Sequence, residues 1–177
     1  MAYSEVKLQE FFQISAPIPY ALGVTLDTDD NPNIIGLNWF TIVSWSPPML
    51  MISVAFQRYT FECLEHHDEF TLVLPSKKQA KGAWLCGTKS GRSVDKAKEA
   101  GFKMIEAKFV QTPLIADATA CVECRIVNKV DAGDHRIYIA DVVAFHVDSS
   151  KSDHLYSKMP EKLIGLGPSL VIDKNLF

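Results

Sequence analysis

Residues 31–60 read NPNIIGLNWFTIVSWSPPMLMISVAFQRYT and contain the features that decide the fold. Two long apolar segments flank Pro47-Pro48. Because proline donates no backbone hydrogen bond, this pair marks the boundary between two predicted strands. Small polar residues interrupt the first strand, namely Asn38, Thr41 and Ser44. The second strand ends in an arginine, a tyrosine and a threonine at residues 58–60. Polar groups inside an apolar hairpin, with an arginine and a hydroxyl at its exit, suit a flat ligand that carries an anion.

The composition is typical of a folded globular protein, with 177 residues of which 47% are hydrophobic and 22% are charged. A chain of this length forms one domain or at most two, and we predict a single domain over residues 1–177. Such a domain buries roughly 70% of the surface of its unfolded chain and needs no disulfide to fold. The formal net charge is -3 without a basic block, which argues against nucleic acid as a partner.

Signals for secretion, membrane insertion and metal binding are missing from the sequence. The N-terminus lacks the basic and apolar regions of a signal peptide, and the apolar run Met49–Phe56 is far shorter than the ~20 residues that span a bilayer. We therefore predict a cytoplasmic protein without a membrane partner. Cys121 and Cys124 form a C-x-x-C pattern, but residues three apart on a predicted strand point to opposite faces. No histidine pair has the spacing of a metal site, so no metal is predicted.

Turn signals divide the rest of the chain into short elements. The other predicted strands are Tyr20–Asp27, Phe70–Leu74, Ala118–Val130, His135–Val147 and Leu163–Ile172, the last broken at Gly167-Pro168. Residues 7–13 are predicted as a short helix or an arm. Three further helices are predicted: Thr60–His66 with Thr60 as N-cap, a helix that Ser76 caps and Gly87 ends, and Ser93–Ala100 with Ser93 as N-cap and Gly101 at its end.

These elements predict a β-dominated fold, either all-β or α+β. About seven strands joined by short connections favour an antiparallel barrel or sandwich over a βαβ arrangement. The predicted helices cluster in residues 60–100, between the early and the late strands. This placement predicts a helical insertion that covers one end of a barrel, where ligands tend to bind.

Two segments have features of an anion site, and each also has a simpler explanation. Arg58 precedes a predicted helix start, where free backbone N–H groups and the helix dipole favour phosphate; the alternative is a surface arginine beside a threonine cap. Arg92 and Lys96 flank another predicted helix start. A lysine there opposes the dipole, so it fits better with a bound anion, unless its side chain points into solvent. The polar residues of the first strand either contact a ligand or pair with backbone groups at a bulge.

Together these segments resemble the flavin reductase-like, FMN-binding split-barrel family, which includes flavoredoxin. The similar segments occur in the family's order and read PNIIGLNWFTIVSWSPPMLMISV, RYTFECL, CGTKSGRSVDKAKEAG, PLIADATACVECRIV and GDHRIYIADVVAF. The resemblance implies an antiparallel Greek-key split β-barrel with two or three short helices inserted. It also implies a noncovalently bound FMN and a homodimer whose interface lies near the flavin.

The resemblance further implies a set of site residues. Those expected along the isoalloxazine ring are Asn38, Trp39, Phe40 and Thr41. Those expected at the phosphate end are Arg58, Tyr59 and Thr60. Those expected to close the site from the inserted segment are Ser90, Gly91, Arg92 and Lys96. His135, in GDHRIYIADV, matches a position near the ring or the nicotinamide and is the one possible catalytic residue.

Three functional hypotheses follow from the sequence, because the family's fold hosts both reductases and electron carriers. The first is an FMN protein that transfers electrons from NADH or NADPH to a flavin, a metal complex or a protein, with the flavin supplying the chemistry. The second is a flavoredoxin-like carrier that a redox partner protein reduces, without useful turnover of NADH or NADPH. The third is a binding or structural β-barrel without flavin.

Overall fold

The computed structural model describes residues 3–158 and 162–166. Its strands are β1 (Ile18–Pro19), β2 (Ala21–Leu26), β3 (Pro32–Leu37), β4 (Phe40–Trp45), β5 (Pro48–Ala55), β6 (Glu69–Leu74), β7 (Met104–Ile105), β8 (Leu114–Ile115), β9 (Ala120–Ala132), β10 (His135–Val147), β11 (His154–Lys158) and β12 (Lys162–Leu166). Its helices are α1 (Leu8–Ser15), α2 (Tyr59–His66), α3 (Ala80–Thr88) and α4 (Lys96–Ala100), and a 3-10 turn Lys77–Gln79 precedes α3. None of the described helices is long and apolar enough to cross a membrane.

The main sheet has seven strands in the order β3-β2-β6-β9-β10-β5-β4, and all its pairings are antiparallel. Its two edge strands, β3 and β4, are separated in sequence only by Asn38 and Trp39. So short a connection requires the sheet to curl until its edges approach each other. This curvature and the antiparallel pairing confirm the predicted β-dominated split-barrel class. Two smaller sheets, β1-β11-β12 and β7-β8, flank the main one.

We had expected the first strand of the central hairpin to be continuous. It instead breaks between Leu37 and Phe40. Tertiary contacts hold the break: Asn38 Nδ2 donates to the Pro19 carbonyl at 3.0 Å, and the Trp39 carbonyl accepts from the Ser53 N–H at 2.9 Å. A bulge follows in β4, where the register against β5 shifts between Ile42 and Ser44. The alternative of backbone pairing at a bulge therefore applies to this segment.

Apolar side chains are buried on both sides of the sheet. One cluster fills its concave interior and includes Leu50, Ile52, Phe70 and Tyr138. The other lies between the sheet and the helical insertion and includes Leu22, Ile34, Ala83, Cys86 and Leu114. Because β2 borders both clusters, all six of its residues are buried. Helices α3 and α4 thus cover the outer face of the sheet, whereas α2 packs Phe61 and Leu64 into the interior cluster, so the predicted insertion does not cover one end of the barrel as a unit.

Two predicted helix N-caps are wrong because the expected residues make other hydrogen bonds, Thr60 with Asn33 and Ser93 with the Ser90 carbonyl. The N-cap of α2 is Arg58 and not Thr60, whose hydroxyl instead accepts a hydrogen bond from Asn33. The N-cap of α4 is Asp95 and not Ser93, and its carboxylate accepts from the Lys98 N–H at 3.0 Å. Gly101 ends α4 with a φ of 69°, as predicted.

Gly87 lies inside α3 and does not end it. A Cβ at this position would lie 2.5 Å from Tyr20 Oη and 3.9 Å from the Gly36 Cα, so the glycine permits close packing of α3 on β3. Ser76 does begin the helical segment, through a capping box with Gln79. The helix alternative for residues 7–13 is confirmed by α1. The part of the predicted last strand beyond Leu166, with its break at Gly167-Pro168, lies outside the described residues.

Candidate functional site

A cavity of about 360 Å³ lies where α2 begins. Its lining comes from β3, from the junction of β5 with α2 and from the loop after α3, and comprises Ile35, Gln57, Arg58, Tyr59, Thr60, Thr88, Lys89, Ser90, Gly91 and Arg92. Segment 58–60, predicted at the phosphate end, and segment 90–92, predicted to close the site, are far apart in sequence and line the same cavity. We refer to it as the 58–92 cavity.

The N-terminus of α2 forms one wall of the 58–92 cavity. Arg58, its N-cap residue, makes no side-chain capping hydrogen bond, and Tyr59 and Thr60 form the first turn. The N–H groups of a first helical turn have no partner within the helix, and the helix dipole places partial positive charge there. An uncapped first turn beside an exposed arginine is therefore suited to binding a phosphate group.

Arg92 closes the opposite wall and connects the loop to the start of α2. Its guanidinium donates to the Gln57 carbonyl at 3.3 Å, forms an ion pair with Glu62 and lies 5.4 Å from the centre of the Tyr59 ring. Tyr59 in turn donates its hydroxyl to Asp27 at 3.4 Å. These contacts hold the loop after α3 against the helix start, so the two walls form one site.

Lys96 lies outside the 58–92 cavity, although we had predicted it beside the other basic residues. Its side chain is buried, and Nζ donates to the carbonyls of Ile34 at 2.6 Å and of Cys86 at 2.9 Å. It lines a neighbouring cavity of about 340 Å³, which shares Tyr59 and Gly91 with the first. Burial lowers the pKa of Lys96, and the positive charge of Arg58 lowers it further. A direct contact of Lys96 with a ligand stays a prediction, whereas its contacts with β3 and α3 are structural.

Asn33 is a residue of this region that sequence reasoning missed. It is buried in β3, and its Nδ2 donates to Thr60 Oγ1 at 2.9 Å and to Thr25 Oγ1 at 3.2 Å. Its Oδ1 is buried without a hydrogen-bond partner among the described residues. A Cβ on Gly91 would lie 2.2 Å from this oxygen. The signal in the sequence was an amide side chain inside an otherwise apolar strand, since buried polar groups normally have partners.

The residues predicted along the ring lie where the two edges of the sheet meet. The Trp39 indole stacks on Phe12 of α1 at 5.9 Å between ring centres, and its centre lies 4.7 Å from that of the His135 imidazole. His135 Nδ1 is 2.6 Å from Asp134 Oδ1, which fixes the orientation of the imidazole. Trp39 and His135 are therefore neighbours, as a shared ligand surface requires.

The remaining ring candidates have other contacts. Asn38 binds the Pro19 carbonyl, and Thr41 is exposed with its hydroxyl donating to the Ile42 carbonyl at 3.4 Å. Phe40 packs against the apolar cluster inside the barrel. None of these residues lines the 58–92 cavity. A ring contact through their backbone groups stays a prediction.

Among proteins with solved structures, this chain is similar to the flavoredoxin of Desulfovibrio vulgaris (Miyazaki F), with a TM-score of 0.84 and 21% identity over 99% of both chains. It is also similar to an FMN-binding protein from Thermus thermophilus with bound p-hydroxybenzaldehyde, with a TM-score of 0.85 and 20% identity over 98% of this chain and 99% of that one. At these identities the similarity establishes the fold alone.

Comparisons of sequence identify the family to which the chain belongs. The chain is 30% identical over 123 residues to an uncharacterized protein of Archaeoglobus fulgidus, an alignment that covers 69% of this chain and 70% of that protein. Residues 15–161 match the family described as the flavin reductase like domain, and this match includes the whole of the 58–92 cavity and the Trp39–His135 pair. The chain therefore belongs to the flavin reductase-like family.

Proposed function

We propose that the protein is an FMN-binding flavoprotein that transfers electrons, built as one domain with the phosphate of FMN bound in the 58–92 cavity. The observation that carries this proposal is the convergence of segments 58–60 and 90–92 on one cavity at an uncapped helix start. A single phosphate matches the site, because the cavity offers one helix N-terminus with the exposed Arg58 beside it.

The charges around the cavity fit an anionic group. Arg58 is exposed at the mouth, and its charge acts on the buried ammonium of Lys96, whose pKa it lowers. Two cations that repel each other are both stabilised when an anion binds between or beside them. Glu62 forms its ion pair with Arg92, and both side chains are about half exposed. In this proposal Arg58 and the first-turn N–H groups of α2 hold the phosphate, while Arg92 keeps the loop in place.

Trp39 and His135 would present an apolar and partly hydrogen-bonding surface to the flat part of the cofactor. Bound FMN would supply the capacity to accept and release electrons, and the protein would supply binding, orientation and exclusion of water. The contact between His135 and Asp134 restricts the imidazole to one orientation. His135 is thus a positioned polar group in this proposal.

We propose NADH or NADPH as the transient electron donor and a flavin, a metal complex or a protein as acceptor. A specific observation favours the alternative of a flavoredoxin-like carrier that a redox partner reduces. Phe12 of α1 stacks on Trp39, so the arm covers one side of the aromatic surface where a nicotinamide would have to approach. Anaerobic mixing separates the two functions, because only the reductase is bleached rapidly by NADH or NADPH.

The protein is further proposed to form a homodimer through the outer face of β4. Large apolar side chains are exposed there and on the adjacent end of β10, with Trp45 at 87%, Ile42 at 56% and Phe145 at 57% of full exposure. Together with Pro48, Met49 and Val142 they line a cavity of about 340 Å³. Exposed apolar patches of this kind are typical of subunit interfaces.

The purified protein tests the cofactor proposal directly. We expect a yellow protein that releases one FMN per chain on denaturation, identified by chromatography of the supernatant. Titration of the apoprotein with FMN, FAD and riboflavin should show the tightest binding for FMN. A preference for FAD contradicts the phosphate assignment, and a protein that binds none of the three contradicts the flavoprotein assignment.

A further inference from the structure

Asn33 contacts both walls of the 58–92 cavity without lining it. From β3, its Nδ2 reaches Thr60 in the first turn of α2, and its Oδ1 lies under Gly91 in the loop after α3. Thr60 and Gly91 are 31 positions apart in the sequence. One buried side chain therefore contacts the two segments that the proposed function requires to act together.

The hydrogen bond to Thr60 determines what the threonine hydroxyl offers to a ligand. A hydroxyl has one proton and two lone pairs. Because Thr60 Oγ1 accepts from Asn33 Nδ2, its own proton is available to another group, and within the described residues no acceptor takes it. Thr60 also lines the cavity. Asn33 thus makes the hydroxyl a donor towards the cavity, which is the polarity that a phosphate oxygen needs.

The other end of the amide determines how closely the loop approaches. Asn33 Oδ1 is an acceptor without a partner in a residue that is only 4% exposed. Such a group is costly unless it is satisfied. Gly91, the residue that packs on it, has no side chain, and a Cβ there would lie 2.2 Å from Oδ1 and 2.9 Å from Tyr59 Cδ1. A residue with a side chain therefore does not fit at this position of the loop without a shift.

We propose that Asn33 is a positioning residue for phosphate binding: its Nδ2 orients the Thr60 hydroxyl, and the packing of Gly91 on its Oδ1 sets how closely the Ser90–Arg92 loop approaches the start of α2. The inference rests on the proposed function and adds a residue that does not itself touch the ligand. It requires the loss of Asn33 to affect the phosphate and not the ring.

The test compares FMN with riboflavin, which lacks the phosphate, in fluorescence titrations of the apoprotein. Asn33→Leu keeps the approximate shape of the side chain and removes both polar ends. We expect it to weaken FMN binding about tenfold, because the Thr60 hydroxyl is no longer held with its proton towards the phosphate, and to leave riboflavin binding unchanged. Thr25→Val is the matched control, because Thr25 is buried and takes the other Asn33 proton but does not line the cavity. Both affinities should be unchanged in the control.

A second variant covers the case in which Asn33→Leu does not fold. Gly91→Ala changes a half-buried loop position and places a methyl group 2.2 Å from Asn33 Oδ1, which forces the loop or the amide to move, so it should weaken FMN binding more than riboflavin binding. Thr60→Ser, which retains the hydroxyl, should bind FMN better than Thr60→Val.

The outcomes separate this inference from the proposed function. Equal loss of FMN and riboflavin in Asn33→Leu, an FMN-selective loss of the same size in Thr25→Val, or wild-type affinity for FMN in Gly91→Ala would each overturn the role of Asn33. A wild-type protein that binds FMN and riboflavin equally overturns the phosphate assignment itself, and the inference with it. That result appears in the wild-type titration alone, before any variant is made.

Discussion

His146 Nε2 lies 2.6 Å from Oε1 of Glu123, whose carboxylate is fully buried beneath β10. The same carboxylate accepts hydrogen bonds from the backbone N–H groups of Lys108, Phe109 and Val110. A single side chain of β9 thus anchors the irregular segment that follows β7. Because ionised carboxylates are strong acceptors, these contacts depend on the charge of Glu123.

Acid should weaken the fold through this residue. Burial alone would raise the pKa of Glu123, but hydrogen bonds from the Lys108 N–H and from His146 outweigh it and hold the pKa below the usual 4.5. The unfolded chain therefore binds this proton more readily, so the stabilisation is present above pH 4.5 and is lost as the pH falls through the lower folded pKa.

Glu123→Gln should lower the free energy of unfolding at pH 7 and flatten its decline in acid. Urea denaturation over a pH series measures both, with Glu106→Gln, an exposed change, as control. Parallel pH curves for Glu123→Gln and the wild type would contradict this.

Arg58→Ala should weaken FMN binding by roughly tenfold to a hundredfold, because a hydrogen bond to a charged group contributes about 1.5–3 kcal/mol. Riboflavin binding should be nearly unaffected, since it lacks the phosphate. Fluorescence titration of both ligands measures the difference. Arg125→Ala is the control, as Arg125 is also on the surface but pairs with Glu69 away from the cavity. Unchanged FMN affinity in Arg58→Ala would contradict the proposal that Arg58 binds the phosphate of FMN.

Lys96→Met should act mainly on stability. The substitution keeps most of the side-chain volume and deprives the carbonyls of Ile34 and Cys86 of their shared donor. A buried acceptor left unpaired costs about 1–3 kcal/mol, so denaturation with urea should show a loss of this order. Because Lys96 lines the neighbouring cavity, FMN affinity should fall less than in Arg58→Ala. An FMN-selective loss as large as that of Arg58→Ala would instead place its amine at the phosphate.

Trp45→Ser should shift the protein from dimer to monomer. Trp45 is the most exposed of the large side chains on β4, and burial of such a side chain at an interface contributes strongly to association. Light scattering coupled to size exclusion should give a dimeric mass for the wild type and a monomeric mass for the variant at micromolar concentration. Phe109→Ser is the control, because it removes a half-exposed aromatic side chain that lies away from β4. This variant should remain dimeric. A dimeric Trp45→Ser protein would place the interface elsewhere.

Local signals predicted the strands that are set by their own sequence. The range His135–Val147 was predicted as a strand and is observed with the same bounds, and Phe70–Leu74 differs by one residue. In both cases β-branched and aromatic residues lie between clear turn signals, so neighbouring residues carry the information. Residue patterns alone allowed two explanations for the segments of the 58–92 cavity, a binding site or an ordinary surface. The family resemblance favoured the binding site.

Contacts between distant residues explain what was missed. The break at Asn38 and Trp39 depends on partners in β1 and β5. The burial of Lys96 depends on the Ile34 carbonyl, 62 residues away, and its place at a helix start indicated an anion and not this carbonyl as its partner. The role of Thr60 was likewise decided by a distant neighbour, Asn33, whereas Ser93 is held in a local turn with Ser90.

The amino-acid sequence by itself determined the β-dominated class, the order of most strands, the helical insertion and the family, because alternation of side chains and turn residues act over a few positions. Only the tertiary structure decided which basic residues share a cavity, that Lys96 is buried beside it and that Asn33 connects its two walls. Those relations arise when the sheet curls and brings the loop after α3 against the start of α2. They depend on the packing of segments far apart in the chain, on which local pattern carries no information.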